Sequence, residues 1–199
     1  MQPIAISCFD KSTNMMQPWA DNGYLCYCVD IQHKPGEHRE GNIIKVGADL
    51  RDWLPPKNVS FAAFFPPCTD VAISGARWFK DKGLGSVIRS LELFKRSVDI
   101  AELLDCKYLI ENPVSTVSTY WRKPDHKFDP CDYGDPYTKK TCLWTGGGFV
   151  MPEKNRVEPI QVCSQGSWVQ QLGGRSQKTK DKRSETPMGF VQAVYDANS

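Results

Sequence analysis

The stretch PIAISCFDKSTNMMQPWADNGYLCYCVDI, residues 3–31, decides the fold. Pro3 to Phe9 is a short apolar run and reads as a buried strand. DKSTN interrupts it with polar turn formers. MMQPWADNG reads as a helix closed by Gly23, a residue suited to a helix C-terminus. Tyr24 to Ile31 is a second strand, with Asp30 at its end. Strand, helix and strand in succession form the unit of a parallel sheet.

The same alternation continues downstream. Asn42 to Val46 reads as a third short strand, with Asp49 just beyond it. Val59 to Phe65 is a fourth, stopped by Pro66-Pro67. From Ser86 to Leu104, Val87, Leu91, Phe94, Val98 and Ala101 recur at spacings of three and four, predicting a helix with one apolar stripe. Lys107 to Ile110 is a fifth strand, followed by Glu111-Asn112-Pro113. The pattern predicts an α/β domain with a mostly parallel sheet. In such sheets ligands bind beyond the carboxyl ends of the strands. Asp10, Asp30, Cys68 and Glu111 all stand at such ends. Residues 129–150 are rich in Gly, Pro and aromatics, with TKKTCLWT, residues 138–145, as a candidate strand. GGRSQKTKDKRSET, residues 173–186, reads as a mobile basic loop. Pro187 to Asn198 reads as an amphipathic helix, with Phe190, Val191, Val194 and Tyr195 on one face and Ser184 or Thr186 as its cap.

Composition bounds the function. The chain has 199 residues, 25 Lys+Arg and 23 Asp+Glu. That length suits one domain spanning 1–199. A net charge of +2 excludes a uniformly basic nucleic-acid glove but not a local basic patch. No apolar run reaches membrane-spanning length, and MQPIAISCF does not resemble a secretory signal. Eight cysteines without an export signal predict reduced thiols in a cytoplasmic protein. Cys26 and Cys28 share one strand face, near His33 and His38. They read as core thiols rather than metal ligands, so no metal is expected. Trp78 and Trp121 read as core aromatics in preference to base-stacking platforms.

Two stretches carry chemistry. In FFPPCTDVAISG, residues 64–75, a strand runs into two prolines that fix the direction of the Cys68 thiol. In ENPVSTV, residues 111–117, Glu111 is a carboxylate at the end of a strand. A thiol nucleophile and a carboxylic acid together suit attack on an electron-poor heteroaromatic ring.

In this order the residues resemble the DNA cytosine-5 methyltransferase family. PPCTDVAISG resembles its Pro-Cys nucleophile motif and LIENPVS its Glu-Asn-Val motif. ISCFDKSTNMMQPWADNGYLCYCVDI resembles its opening segment. CDYGDPYTKKTCLW resembles its YGxPQxRxR segment, and RSETPMGFVQAVYDAN its closing helix. The chain is similar to compact, bacteriophage-encoded members. The resemblance implies a Rossmann-like S-adenosylmethionine-dependent methyltransferase fold, with helices on both faces of the sheet, in the cytoplasm of a bacterial host.

It also implies roles. Cys68 would add to C6 of cytosine and Glu111 would hold N3, with Asn112 positioning Glu111 and Lys139 replacing the first Arg of QxRxR. Phe9, Asp10, Lys11 and Ser12 would face the methionine end of S-adenosylmethionine. Asp30 and Ile31 would take the ribose, Asp49 and Leu50 the adenine. Pro66, Ser184, Glu185 and Thr186 would complete the cofactor pocket. Pro67, Thr69, Ser74, Arg77, Pro113, Lys140 and Thr141 would contact the substrate.

The departures define the alternatives. Asp10 to Thr13 replace a glycine turn, where Lys11 would crowd the cofactor. Tyr137 and Thr141 replace the Gln and the second Arg of QxRxR. Residues 145–183 stand where family members carry a full recognition domain. The expected substrate is therefore DNA read with little sequence preference. A free cytosine nucleotide, dCMP or dCTP, is the alternative, and a protein partner supplying specificity is another. A non-catalytic binding protein, and transfer of a different group to C5, are the remaining readings.

Overall fold

The computed structural model describes residues 2–164, 166–172 and 176–199. Its strands are β1 (Ile4–Cys8), β2 (Leu25–Val29), β3 (Gly36–Glu40), β4 (Ile43–Gly47), β5 (Val59–Phe64), β6 (Lys107–Pro113), β7 (His126–Phe128) and β8 (Thr141–Gly146). Its helices are α1 (Gln17–Asp21), α2 (Phe79–Lys82), α3 (Leu84–Leu104), α4 (Val117–Tyr120), α5 (Trp168–Gln171), α6 (Gln177–Ser184) and α7 (Met188–Asn198). The eight strands form one sheet in the order β3-β4-β2-β1-β5-β6-β8-β7. The central block β4-β2-β1-β5-β6 is parallel throughout. β3 and β8 run antiparallel to their neighbours. The chain is thus an α/β protein with a mixed, mostly parallel sheet. None of the described helices is long and apolar enough to cross a membrane.

Alternation along each strand feeds two cores. Ile6, Cys8, Ala62, Phe64, Ile110 and Trp144 face one side, where α3 covers them with Phe94, Ile100 and Ala101. Ala5, Cys26, Cys28, Phe61, Ala63 and Leu109 face the other, covered by Met15, Trp19, Phe190, Val191 and Val194. Trp19 stacks on Phe61 at 4.3 Å, and Phe190 on Phe128 at 4.1 Å. A buried side chain of this size contributes roughly 1.5–3 kcal/mol by leaving water. The predicted α3 stripe holds: Phe94 and Ala101 are buried, with Val87, Leu91 and Val98 partly buried beside them. Gly23 closes the first helical segment at φ +87°.

Several expectations are corrected. Glu111, Asn112 and Pro113 do not follow β6; they are its last residues, paired with Leu143, Cys142 and Thr141 of β8. The basic stretch is not a loop throughout, since residues 177–184 form α6; residues 173–175 lie outside the described ones. Neither Ser184 nor Thr186 caps α7, whose N-cap position is Pro187 and carries no side-chain cap. Trp78 and Trp121 are exposed to 44% and 41%.

The start of α7 fits closely against the turn at Tyr133. A Cβ on Gly189 would lie 1.9 Å from the Tyr133 carbonyl oxygen. Gly189→Ala is expected to destabilise the fold by about 1–3 kcal/mol, as overpacked sites do. A urea titration followed by tryptophan fluorescence checks this, and an unchanged midpoint would contradict the tight fit.

Candidate active site

The order of the parallel block reverses between β1 and β5. At such a point the connections leave in opposite directions and open a crevice above the sheet. The segments after β1 and β5 therefore border one space. After β1, Phe9 adopts φ +61° and donates its amide to the Val29 carbonyl at 2.7 Å. After β5, the Phe65 amide still bonds the Cys8 carbonyl at 3.0 Å, and Pro66-Pro67 then deliver Cys68.

Glu111 comes from the neighbouring strand. Phe64 of β5 pairs with Ile110 of β6, so Glu111 stands one step beyond that pair. The two strand ends are tied together: buried Asn112 donates Nδ2 to the Pro66 carbonyl at 3.0 Å. Phe65, Phe128, Pro187 and Phe190 line a cleft with Glu111 and Lys139. Lys139 is held by its backbone amide, which donates to Asp129 Oδ1 at 2.8 Å. Sequence reasoning missed the apolar lining, although it placed Phe190 on the buried face of its helix.

The electrostatics favour neutral groups. Burial pushes the Cys68 thiol up, and the Glu111 carboxylate pushes it the same way; the Lys139 ammonium and Arg183 guanidinium oppose them. Burial also raises Glu111, against the pull of Lys139. A carboxyl held protonated can donate a hydrogen bond. Lys139 acts on both groups and so favours whichever of them ionises.

The loop after β1 replaces a glycine turn by other means. Asp10 Oδ1 accepts from Ser12 Oγ at 2.8 Å and from the Thr13 amide at 2.9 Å. Thr13 takes up φ +62°. Lys11 extends to Asp181 of α6, at 2.5 Å, and to Gln32 Oε1, at 3.3 Å. Asp10 Oδ2 is buried without a partner among the described residues. At the end of β2, Asp30 Oδ1 accepts from the Gln32 amide at 2.7 Å, and Ile31 is 70% exposed.

Other expected residues are placed differently. The Asp49 carboxylate is gripped by Arg51, whose hydrogen bonds hold it below the usual carboxylate range despite partial burial. Leu50 is buried in the core facing α3. Ser184 and Thr186 line the Glu111 cleft rather than the crevice at Asp10, and Glu185 pairs with Lys182 at 2.8 Å. Thr141, expected on the substrate, does line the Glu111 cleft; it is buried at the start of β8, its Oγ1 bonded to the Lys139 carbonyl at 2.7 Å. Lys140 is exposed at the strand's mouth, and Pro113 is half-buried. Pro67 and Thr69 lie exposed on the loop after β5, and Ser74 is exposed in the 3-10 helix Ile73–Trp78 that follows. The side chain of Arg77 lies outside the described residues.

Neither protein-family models nor curated sequences give a match to this chain. The site therefore stands on its own geometry. Among the described residues no group of three or more His, Cys, Asp or Glu side chains is placed to hold a metal.

Proposed function

We propose that the chain is a cytosine C5 methyltransferase that uses S-adenosylmethionine and acts on DNA with little sequence preference. The observation that carries this reading is the placement of Cys68 just after β5 and of Glu111 near the end of the adjacent β6, two segments tied together by the Asn112 to Pro66 bond. The doubly wound order of the parallel block supports a Rossmann-like methyltransferase fold.

In this reading the Cys68 thiolate adds to C6 of cytosine. An Sγ–C6 bond forms, the C5–C6 π electrons shift toward C5, and N3 takes a proton from Glu111. Lys139 holds the thiolate before addition and the carboxylate after proton transfer. When bound, S-adenosylmethionine supplies an electrophilic methyl group for C5. The C5 proton then passes to water, the C5–H electrons re-form the C5–C6 double bond, the Sγ–C6 bond breaks to return the Cys68 thiolate, and Glu111 recovers its proton from N3. The chain's residues fit the cofactor at two points. Asp10 sits just after β1 with one carboxylate oxygen outside the loop's hydrogen bonds among the described residues, and Asp30 engages only one oxygen among them, beside the apolar surface of Ile31. The adenine end has no counterpart to this at Asp49 or Leu50.

A free cytosine nucleotide is the second reading, favoured by the short segment 145–183. The deciding test offers labelled S-adenosylmethionine with duplex DNA, single-stranded DNA, dCMP and dCTP in parallel, and Cys68→Ala as control. Label in DNA that the control lacks supports the first reading, and label in dCMP or dCTP the second. Cofactor binding without any transfer would overturn both and favour a binding protein. Asp30→Ala is expected to weaken S-adenosylmethionine binding roughly ten- to a hundredfold, the worth of a hydrogen bond to a charged group. Isothermal titration checks this, and unchanged affinity would remove Asp30 from the cofactor site.

A further inference from the structure

In α6, QKTKDKRS, four cations stand against one acid. The fold already engages the acid and one of the cations. Asp181 pairs with Lys11, and Lys182 pairs with Glu185 and lies 5.9 Å over the Trp168 ring. Gln177 donates to Gln32 Oε1 at 3.0 Å and to Asp181 Oδ1 at 2.6 Å. These bonds fix one face of the helix against the loops that follow β1 and β2.

Lys178, Lys180 and Arg183 remain, all exposed, and of these Lys180 and Arg183 lie in the turn that precedes Ser184. They stand three residues apart, hence side by side on the helix surface. Both are exposed, and no acid among the described residues pairs with either. Like charges so placed repel. Directly after them, Ser184, Thr186 and Pro187 line the Glu111 cleft. The two cations therefore stand at the mouth of the candidate active site. Arg183 also acts on the Cys68 thiol from there.

We infer that Lys180 and Arg183 form a phosphate site for the nucleic-acid strand that carries the target cytosine. The identity of the target base rests on the methyltransferase reading; strand binding does not. A base entering between Cys68 and Glu111 leaves its phosphates outside in water, where this pair stands. Two cations one helical turn apart suit successive phosphates of a strand better than the single phosphate of dCMP. Phosphate contacts position a strand without reading its sequence. α6, clasped to the loop after β1 by Lys11, would then do part of the work of a recognition domain.

The test uses the full chain and a fluorescein-labelled, single-stranded oligodeoxynucleotide containing one cytosine. Anisotropy gives its affinity across a range of NaCl concentrations, without cofactor. In Lys180→Gln/Arg183→Gln the log–log salt slope is expected to shrink by about 1.4, because each phosphate contact to a single strand contributes about 0.7. An unchanged slope would overturn the inference. So would intact strand binding with lost dCMP binding, which would give the pair to a free nucleotide. A chain that binds the strand through this pair yet transfers no methyl group would support the inference and overturn the methyltransferase reading alone.

Discussion

On the proposed mechanism, Cys68→Ser is expected to abolish methyl transfer, lowering turnover by roughly 10⁴-fold or more, the scale for removal of a covalent nucleophile. Serine keeps the size and direction that Pro66 and Pro67 impose on this position. It loses the low-lying ionisation that lets a thiol become an anion within reach of Lys139 and Arg183. A hydroxyl flanked by the Glu111 carboxyl has no base to activate it. Cofactor affinity is expected to stay within about twofold, because Cys68 belongs to the substrate side of the crevice. Turnover and isothermal titration on the same preparation separate the two effects. Retained turnover would exclude covalent addition.

Glu111→Gln is the second large effect. Losing the proton donor at N3 is expected to slow turnover about 10²–10⁴-fold, the range for general acid catalysis. Its signature is the pH profile. In the native chain burial raises both Cys68 and Glu111, and the reactive form has one proton between them. At low pH both are protonated and the thiolate is missing. At high pH both are ionised and the acid is missing. The profile is thus a bell whose limbs belong to the pair. In Glu111→Gln only Cys68 titrates, so the residual rate rises with pH and does not fall again. The rise also comes at lower pH than the native alkaline limb, because the Glu111 charge no longer opposes thiolate formation. A variant that keeps the bell would show that Glu111 is not the acid.

The parallel core was legible because its strands are short apolar runs bounded by polar or proline breaks. β3 was not, because GEHRE is polar and largely exposed on both faces; it exists through pairing with β4. α6 was read as a loop because it has no apolar stripe. Tertiary bonds to Lys11 and Gln32 hold it, joining residues 170 and 145 positions apart. The positions of Cys68, Glu111 and Asn112 at strand ends were legible from the apolar runs before them, and the structure adds the bond from Asn112 to Pro66. The pairing of Asp49 with Arg51 was not legible, because the position after β4 says nothing of a cation two residues on that bonds its carboxylate. Lys11 looked like an obstruction and proves to be a fastening. Arg183 lay inside a basic stretch in which no pattern distinguished it from its neighbours.

The placement of α7 bears on how the chain comes to life on the ribosome. Phe190, Val191 and Val194 close the layer over Trp19 and Phe61. The floor of the Glu111 cleft comes from the same stretch, beginning at Ser184. Translation at about 5–20 residues per second separates Cys68 from Phe190 by roughly 6–24 s. Throughout that interval one face of the central strands lacks its cover, and the nascent chain shows an apolar surface that chaperones bind. Cys68 is synthesised early but the Glu111 cleft is completed late, so the cleft exists only once the sheet is fully covered.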